Sequence, residues 1–368
     1  MTSTEKALLD LLRIAMGNGI NNSLPTGVDW DKVIALAEKQ GILSIAFDAL
    51  EELPTNLRPS FDTLMSWIGH VSFSESIYEK YEQSMLHFSR LLLMQGVNAI
   101  VMKGYGYSLN YPSPNHRPCG DIDIFVTNKK GEYTQLLVDF SNQQLVKAGA
   151  KEVSHGNEHH SILSFEGYTL ENHWTVLDVN AHKSSRYLEE LLEKWAAEHR
   201  EHIVDGVAVC LPSVRFNSIH LLRHMVNDFA TVKTTLRHVL DWVTFVKNND
   251  VDWAFVQKIA RETNMIRFLD AVNGICVAFL GYTSEKFPVS KADGKLRDRV
   301  LTKILHSEFD EEIPPIKNKL AYGWIKTRRL WTNRWKYRIV YDESIWQSFL
   351  SLSQNRIKKY KTEKKYEL

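Results

Sequence analysis

Gly120-Asp121-Ile122-Asp123-Ile124-Phe125-Val126 is the stretch on which the reading of this chain turns. In an extended strand, side chains at i and i+2 share a face, so Asp121 and Asp123 project together while Ile122 and Ile124 enter a core. Two carboxylates so close repel unless a cation lies between them. Hard carboxylate oxygens suit Mg²⁺, which keeps waters and also binds substrate phosphates. An edge strand with two solvated aspartates shows the same short pattern, so the flanks must decide.

Upstream, Ala99-Ile-Val-Met reads as a strand running into Lys103-Gly104-Tyr105-Gly106, a glycine turn ahead of a helical segment. Such a turn lets backbone N–H groups approach phosphate oxygens, and a helix N-terminus adds positive potential. Lys103 offers a point charge to a triphosphate, although an ordinary strand-to-helix turn has the same composition. Downstream, Leu170-Glu171-Asn172-His173-Trp174 sets Glu171 and His173 on one face of a strand. A third carboxylate facing the aspartate pair completes a two-metal site of the kind that aligns an acceptor hydroxyl with an α-phosphate and stabilises departing pyrophosphate. Glu171 would accept the hydroxyl proton or hold a metal. Asp178, in Leu177-Asp178-Val179, is its rival, on the opposite face if the strand continues unbroken.

The rest of the chain frames this unit. Residues 1–95 read as helices: Leu8, Leu9, Leu12 and Ala15 recur at helical spacing. Trp30, Val33, Ile34 and Ala37 do so again after the turn-like Asn21-Asn-Ser-Leu-Pro-Thr-Gly. A longer periodic run from Phe61 to Met94 stops before Gly96. Residues 96–212 are mixed: the strand-like Val97-Asn-Ala-Ile-Val-Met and Ile122-Asp-Ile-Phe-Val, then helical spacing over 132–148. A hairpin follows, pairing Ser161-Ile-Leu-Ser-Phe with Tyr168 through Asp178 about the turn Glu166-Gly167. Residues 213–368 return to helices, with apolar faces Ile219, Leu222, Met225, Val226, Phe229 and Leu236, Val239, Leu240, Trp242, Val243. The polar, basic end from Lys358 to Leu368 is expected to fray. The expected class is therefore α+β, a mixed sheet core between N- and C-terminal helical regions.

The run Val101-Met-Lys-Gly-Tyr-Gly-Tyr-Ser-Leu-Asn-Tyr-Pro-Ser-Pro-Asn-His-Arg-Pro-Cys-Gly-Asp-Ile-Asp-Ile-Phe-Val resembles the signature of the uncharacterised bacterial nucleotidyltransferases of the DNA polymerase β superfamily. That group has a Leu-Lys-Gly opening, a Tyr-Pro loop, an arginine and Gly-Asp-x-Asp. It then has paired histidines before a Glu-x-His-Trp strand, here His159-His160 and Glu171-Asn172-His173-Trp174. The specific motifs lie between about 101 and 174, while helices on both sides extend the likeness in outline to the whole chain. The resemblance implies a nucleotidyltransferase fold, with Asp121, Asp123 and Glu171 as catalytic acids and metal ligands. It also implies nucleotide contacts from Lys103, Gly104, Gly120, Arg117, His160 and His173. Two departures stand out: Tyr105 follows Gly104 where the superfamily usually has serine or glycine, and the interval to Asp121 is longer than usual. Ser108 does not simply inherit the missing serine's role, and Arg117 fits a surface ion pair nearly as well as a phosphate contact.

His155, His159, His160, His173 and His182 form the densest histidine concentration. As metal ligands they would favour zinc or manganese over magnesium; as neighbours they would orient carboxylates or face the nucleotide. In the C-terminal helices, Arg237 and Asp241 stand one turn apart as an intrahelical pair, and His224 reads as a core histidine on a mostly apolar face. Lys317, Lys319, Lys326, Arg328, Arg329, Arg334, Lys336 and Arg338 have no acid among them, with Trp324, Trp331 and Trp335 between. That pattern can grip nucleic acid, but an amphipathic helix with inward tryptophans and wet arginines is the favoured reading.

Composition sets the outer bounds. The 368 residues carry Lys+Arg 45 against Asp+Glu 44, a formal charge of +1, so no global bias towards a polyanion exists and nucleic acid is not the favoured partner. With 44% hydrophobic and 24% charged residues, disorder and collagen-like repeats are excluded. Cys119, Cys210 and Cys276 are too few and scattered for a disulfide framework or zinc site. No secretory signal opens the chain and no run approaches about 18 apolar residues, so a cytoplasmic location with no membrane contact is expected. The reading is a metal-dependent transfer of a nucleoside monophosphate from an NTP to an unknown acceptor, with Mg²⁺ as cofactor and Mn²⁺ as the alternative. A hydrolase built on the histidine cluster and Asp178, or a non-catalytic binding or regulatory module of the same fold, are the competing readings.

Overall fold

Gly96, at φ +77°, ends one kind of structure and begins another. The computed structural model describes residues 1–19, 24–25, 27–154, 160–180, 182–231, 234–306, 319–341, 344 and 346–347. Asn21, Asn22, Ser23, Thr26, His155, His159, Lys317 and the Lys358–Leu368 end, all read above, lie outside the described residues.

Before Gly96 come α1 (Ser3–Ala15), α2 (Trp30–Lys39), α3 (Leu43–Phe47) and α4 (Phe61–Met94). Thr2 and Glu5 close a capping box on α1, and the Ser60 hydroxyl accepts from Thr63 N at the start of α4. The periodic run read from Phe61 to Met94 thus corresponds to one 34-residue helix, capped at its head and stopped by a left-handed glycine.

Between Val97 and Leu211 lie β1 (Val97–Val101), α5 (Tyr105–Ser108), β2 (Ile122–Asn128), α6 (Gln135–Lys147), β3 (Lys151–Ser154), β4 (His160–Phe165), β5 (Tyr168–His173), α7 (Ser185–Ala196), β6 (Arg200–Val204) and β7 (Val207–Leu211). The strands form one seven-stranded mixed sheet in the order β3-β4-β5-β2-β1-β7-β6. β1 runs antiparallel to β2 and parallel to β7, and β2 runs parallel to β5. The class is α+β. Three sequence readings change here. The β6–β7 hairpin was not read, although Asp205-Gly206, both at positive φ, is a hairpin-turn signal. Lys151, Glu152 and Val153 of β3 are exposed and show no apolar alternation, so the strand left no signal. The strand expected to run from Tyr168 to Asp178 ends at His173, so Asp178 is off the sheet, where its carboxylate accepts from Asn180 N.

The sheet sorts its side chains by parity. Val97, Ala99, Val101, Ile122, Ile124, Val126 and Leu170 pack with Tyr81, Met85, Phe88 and Leu92 of α4 and with α6. Ile100, Phe125 and Cys210 turn to the other face and join a second apolar cluster built mainly from helices. Those helices are α8 (Val214–Ala230), α9 (Leu236–Asn248), α10 (Trp253–Glu262), α11 (Ile266–Leu280), α12 (Gly294–Leu305) and α13 (Lys319–Val340), packed with α1, α2 and α3. Gln40 ties the two ends of the chain together: its amide donates to Ile304 O and Leu305 O and accepts from Leu236 N. Asp123 and Glu171 therefore project on the side of the sheet that faces the C-terminal helices.

Candidate active site

The parallel β2–β5 ladder builds the centre. Asp123 stands beside Glu171 and Phe125 beside His173, so i,i+2 alternation on each strand sets Asp123, Glu171 and His173 on one face. Asp121 precedes β2 at an exposed position. Its carboxyl is pushed up from the usual range, first by partial burial and then by repulsion from Glu171 and Asp123. Alternation along β2 does not reach Asp121, which lies just before the strand; it is the β2–β5 register that brings Glu171 beside Asp123.

Two cations already face the buried Asp123. Lys103 Nζ donates to Oδ1 at 2.7 Å, and His173 Nε2 donates to the same oxygen at 3.1 Å. Burial alone would raise the Asp123 pKa, but Lys103 and His173 outweigh it and hold the carboxylate ionised well below the usual range. Burial likewise opposes the charge on His173, yet its bonds to Asp123 and Glu171 raise its pKa. His173 Nδ1 lies 3.3 Å from Thr175 O, so both ring nitrogens face oxygens that accept. Its Nε2 also lies 3.5 Å from Glu171, whose pKa is lowered first by that bond.

His160 approaches Glu171 from the other side, at 3.6 Å, and is cross-strand partner to His173. Burial, followed by repulsion from His173, lowers the His160 pKa. His160, Glu171 and His173 offer ligand atoms within 4.8 Å of one another. Both histidines thus stand against Glu171, one on each side of its carboxylate.

The turn at Gly104 is shaped by close packing. Gly104 adopts φ +47° and ψ −102°, and a Cβ there would come within 2.6 Å of the Tyr81 hydroxyl and 3.5 Å of Asp121 O. Only glycine accepts that backbone so near another chain segment. Met102 N donates to Asp123 O, which locks the turn beside β2. A Cβ on Gly120 would meet no atom within 4 Å, so the chain next to Asp121 is open to an incoming molecule. The helix expected after the turn is α5, only four residues long, so few aligned peptide dipoles stand behind it. Ser108 is buried, shares a 2.7 Å bond with the Tyr78 hydroxyl and donates to Tyr105 O, which commits it to structure.

The loop arginine requires a correction. Arg117 is buried, and its Nε and Nη2 grip Asp241 of α9 at 3.0 and 2.8 Å. It is not the surface pair that its place in the loop suggested, because its guanidinium is committed to a buried carboxylate on α9. Asp241 also accepts from the Tyr111 hydroxyl, so its partner is Arg117 and not the intrahelical Arg237 read from spacing. The long interval before Asp121 therefore works as a strut: His116 bridges Asp48 and Glu75 while Arg117 reaches α9.

Two more readings change in the C-terminal helices. Trp335 packs against Phe229 and lies under Arg299, but Trp324 and Trp331 are 64% and 55% exposed, so only one of the three tryptophans points inward. His224 is half-buried beside Asp228, with His238 on the carboxylate's other side. No described helix is long and apolar enough to cross a membrane.

A family model described as an uncharacterised nucleotidyltransferase matches residues 26–281, a span that holds all seven strands and the three acids. No curated protein and no solved structure gave a significant match.

Proposed function

The chain belongs to the uncharacterised nucleotidyltransferase family, and from that premise we propose that it transfers a nucleoside monophosphate from an NTP to an acceptor and releases pyrophosphate. The observation that carries this reading is the parallel register setting Asp123 beside Glu171, with Asp121 close enough to repel both. Mutually repelling hard oxygen donors fit Mg²⁺, with Mn²⁺ as the alternative. Asp121, Asp123 and Glu171 would hold it, and when bound it would supply Lewis-acid polarisation at the α-phosphate and charge neutralisation on the leaving group.

The chain's own groups account for the rest. Lys103 and the backbone at Gly104 would cradle the β- and γ-phosphates, with the ammonium shifting from Asp123 to phosphate oxygens. The acceptor oxygen attacks the α-phosphorus as its bond to the bridging oxygen breaks, and that electron pair leaves with pyrophosphate. Glu171 accepts the acceptor's proton, and His173 and His160 fix the carboxylate's orientation.

Calorimetry of ATP, CTP, GTP and UTP with Mg²⁺, together with a pyrophosphate-release assay, tests the reading. Binding of at least one nucleotide is expected, with binding or turnover impaired by Asp121→Ala plus Asp123→Ala. Absence of all nucleotide binding, or binding and turnover indifferent to that double substitution, sinks it.

A further inference from the structure

Outside the carboxylate centre, α8 and the head of α9 bring a second set of ligand-type side chains together. His224 and Asp228 are one turn apart on α8, and His238 lies in the first turn of α9. Asp228 Oδ2 is 3.6 Å from His224 Nε2 and 2.9 Å from His238 Nε2, and the three ligand atoms lie within 4.8 Å of one another. We propose that His224, Asp228 and His238 form a binding site for one divalent cation of the borderline class, Zn²⁺ foremost, distinct from the acidic triad.

Size, chemistry and charge argue for it. A tetrahedral ion with bonds near 2.0–2.1 Å needs donors roughly 3.3–3.5 Å apart, and the separations of 2.9 and 3.6 Å bracket that value. Two imidazoles with one carboxylate select Zn²⁺ and its neighbours over Mg²⁺ or Ca²⁺. The single carboxylate also supplies negative charge between the two imidazoles, where a divalent ion would sit. Lys103 tempers the attraction for a cation, though its own charge is largely spent on Asp123.

His238 supplies a tautomer switch. Thr235 N donates to His238 Nδ1, so Nε2 carries the proton and donates to Asp228. The Thr235 hydroxyl lies 3.1 Å from the same Nδ1. When a cation takes the Nε2 lone pair, the proton goes to Nδ1, the Thr235 N–H gives up its bond to that atom, and the Thr235 hydroxyl becomes the acceptor for Nδ1–H, as second partners of metal-bound histidines do. The proton formerly on Nε2 is thereby conserved within the ring.

The site does not depend on the nucleotidyl-transfer reading, so its test is metal content alone. Full-length protein is exposed to Zn²⁺, dialysed against metal-free buffer and analysed by mass spectrometry. Wild type and Asp121→Asn/Asp123→Asn are expected to retain the same zinc, while His224→Ala, His238→Ala and Asp228→Asn each lose about one equivalent. Thr235→Val is expected to weaken Zn²⁺ binding roughly 10-fold or more. Because a substitution in α8 can impair folding, Co²⁺ is also bound to His173→Ala protein, which lacks one histidine of the β5 group and leaves α8 intact. Visible d–d bands of a tetrahedral site are expected there. Zinc retained by all three ligand variants, no zinc in wild type, or no such bands in the His173→Ala protein overturns the proposal.

Discussion

Arg117 and Asp241, 124 residues apart in the chain, close a two-point ion pair with both side chains buried. Burial works against the guanidinium, but Asp241 more than compensates and holds its pKa well above the usual value. Removing one partner of such a pair strands the other without water, at a cost of about 3–5 kcal/mol. Arg117→Ala or Asp241→Ala is therefore expected to lower stability by that order in urea unfolding. The joint replacement Arg117→Met with Asp241→Leu is expected to cost less than Arg117→Ala. Losses below about 1 kcal/mol for both single variants would mean that the guanidinium is not committed to α9 and could serve phosphate after all.

The Gly104 turn makes a second prediction. Its φ of +47° with ψ −102° is unfavourable for any side chain, a penalty of roughly 1–3 kcal/mol by itself. The overlap of a Cβ with the Tyr81 hydroxyl at 2.6 Å adds to it. Gly104→Ala should therefore destabilise by more than the backbone penalty alone. Tyr81→Phe in the Gly104→Ala background should restore part of the loss, because it removes the oxygen but leaves the dihedral strain. A Gly104→Ala protein within about 0.5 kcal/mol of wild type would refute this geometry.

Sequence periodicity carried much of the architecture and some of the chemistry, and its failures have physical causes. α4 was legible because Ser60 and Gly96 bracket an uninterrupted pattern, and β2 and β5 because glycines or polar turns bound short apolar runs. Alternation sufficed to group Glu171 with His173 on β5, but Asp121 lies just before β2, and only the sheet register brings β2 and β5 side by side. The end of β5 at His173 was hidden because Trp174, Val176 and Leu177 keep an apolar texture after the ladder stops. Arg117 with Asp241, and Asp228 with His238, meet by tertiary packing of separate elements, which no local spacing records.

The tryptophans of α13 separate into two classes that stability measurements can tell apart. Trp324 and Trp331 stack with Arg328 and Arg334 on the exposed side, while Trp335 meets Phe229 and Arg299. Trp324→Ser and Trp331→Ser are expected to change stability by no more than about 0.5 kcal/mol. Trp335→Ala should cost roughly 2–4 kcal/mol, short of a fully buried tryptophan because its ring is only partly covered. Acrylamide quenching of the three single variants gives an independent check: loss of Trp324 or Trp331 should remove quenchable fluorescence, and loss of Trp335 should not.

The exit from β5 carries a pH dependence. Glu189 of α7 is buried and accepts from the backbone N–H groups of Val176 and Leu177, which holds the segment leaving His173. Burial pushes its pKa up to about 7, against 4.5 for the free side chain, although those two bonds favour the ionised form. A group whose folded pKa is raised adds stability that is complete below the unfolded value and fades as pH rises through the folded one. Glu189 should therefore contribute most below about pH 4.5 and lose that contribution between about pH 4.5 and 7, roughly 3 kcal/mol in all. Unfolding midpoints measured across that window should fall more steeply for wild type than for Glu189→Gln, which cannot ionise. Parallel pH profiles for the two proteins would show that the folded chain does not raise the Glu189 pKa, its two backbone bonds offsetting burial in full.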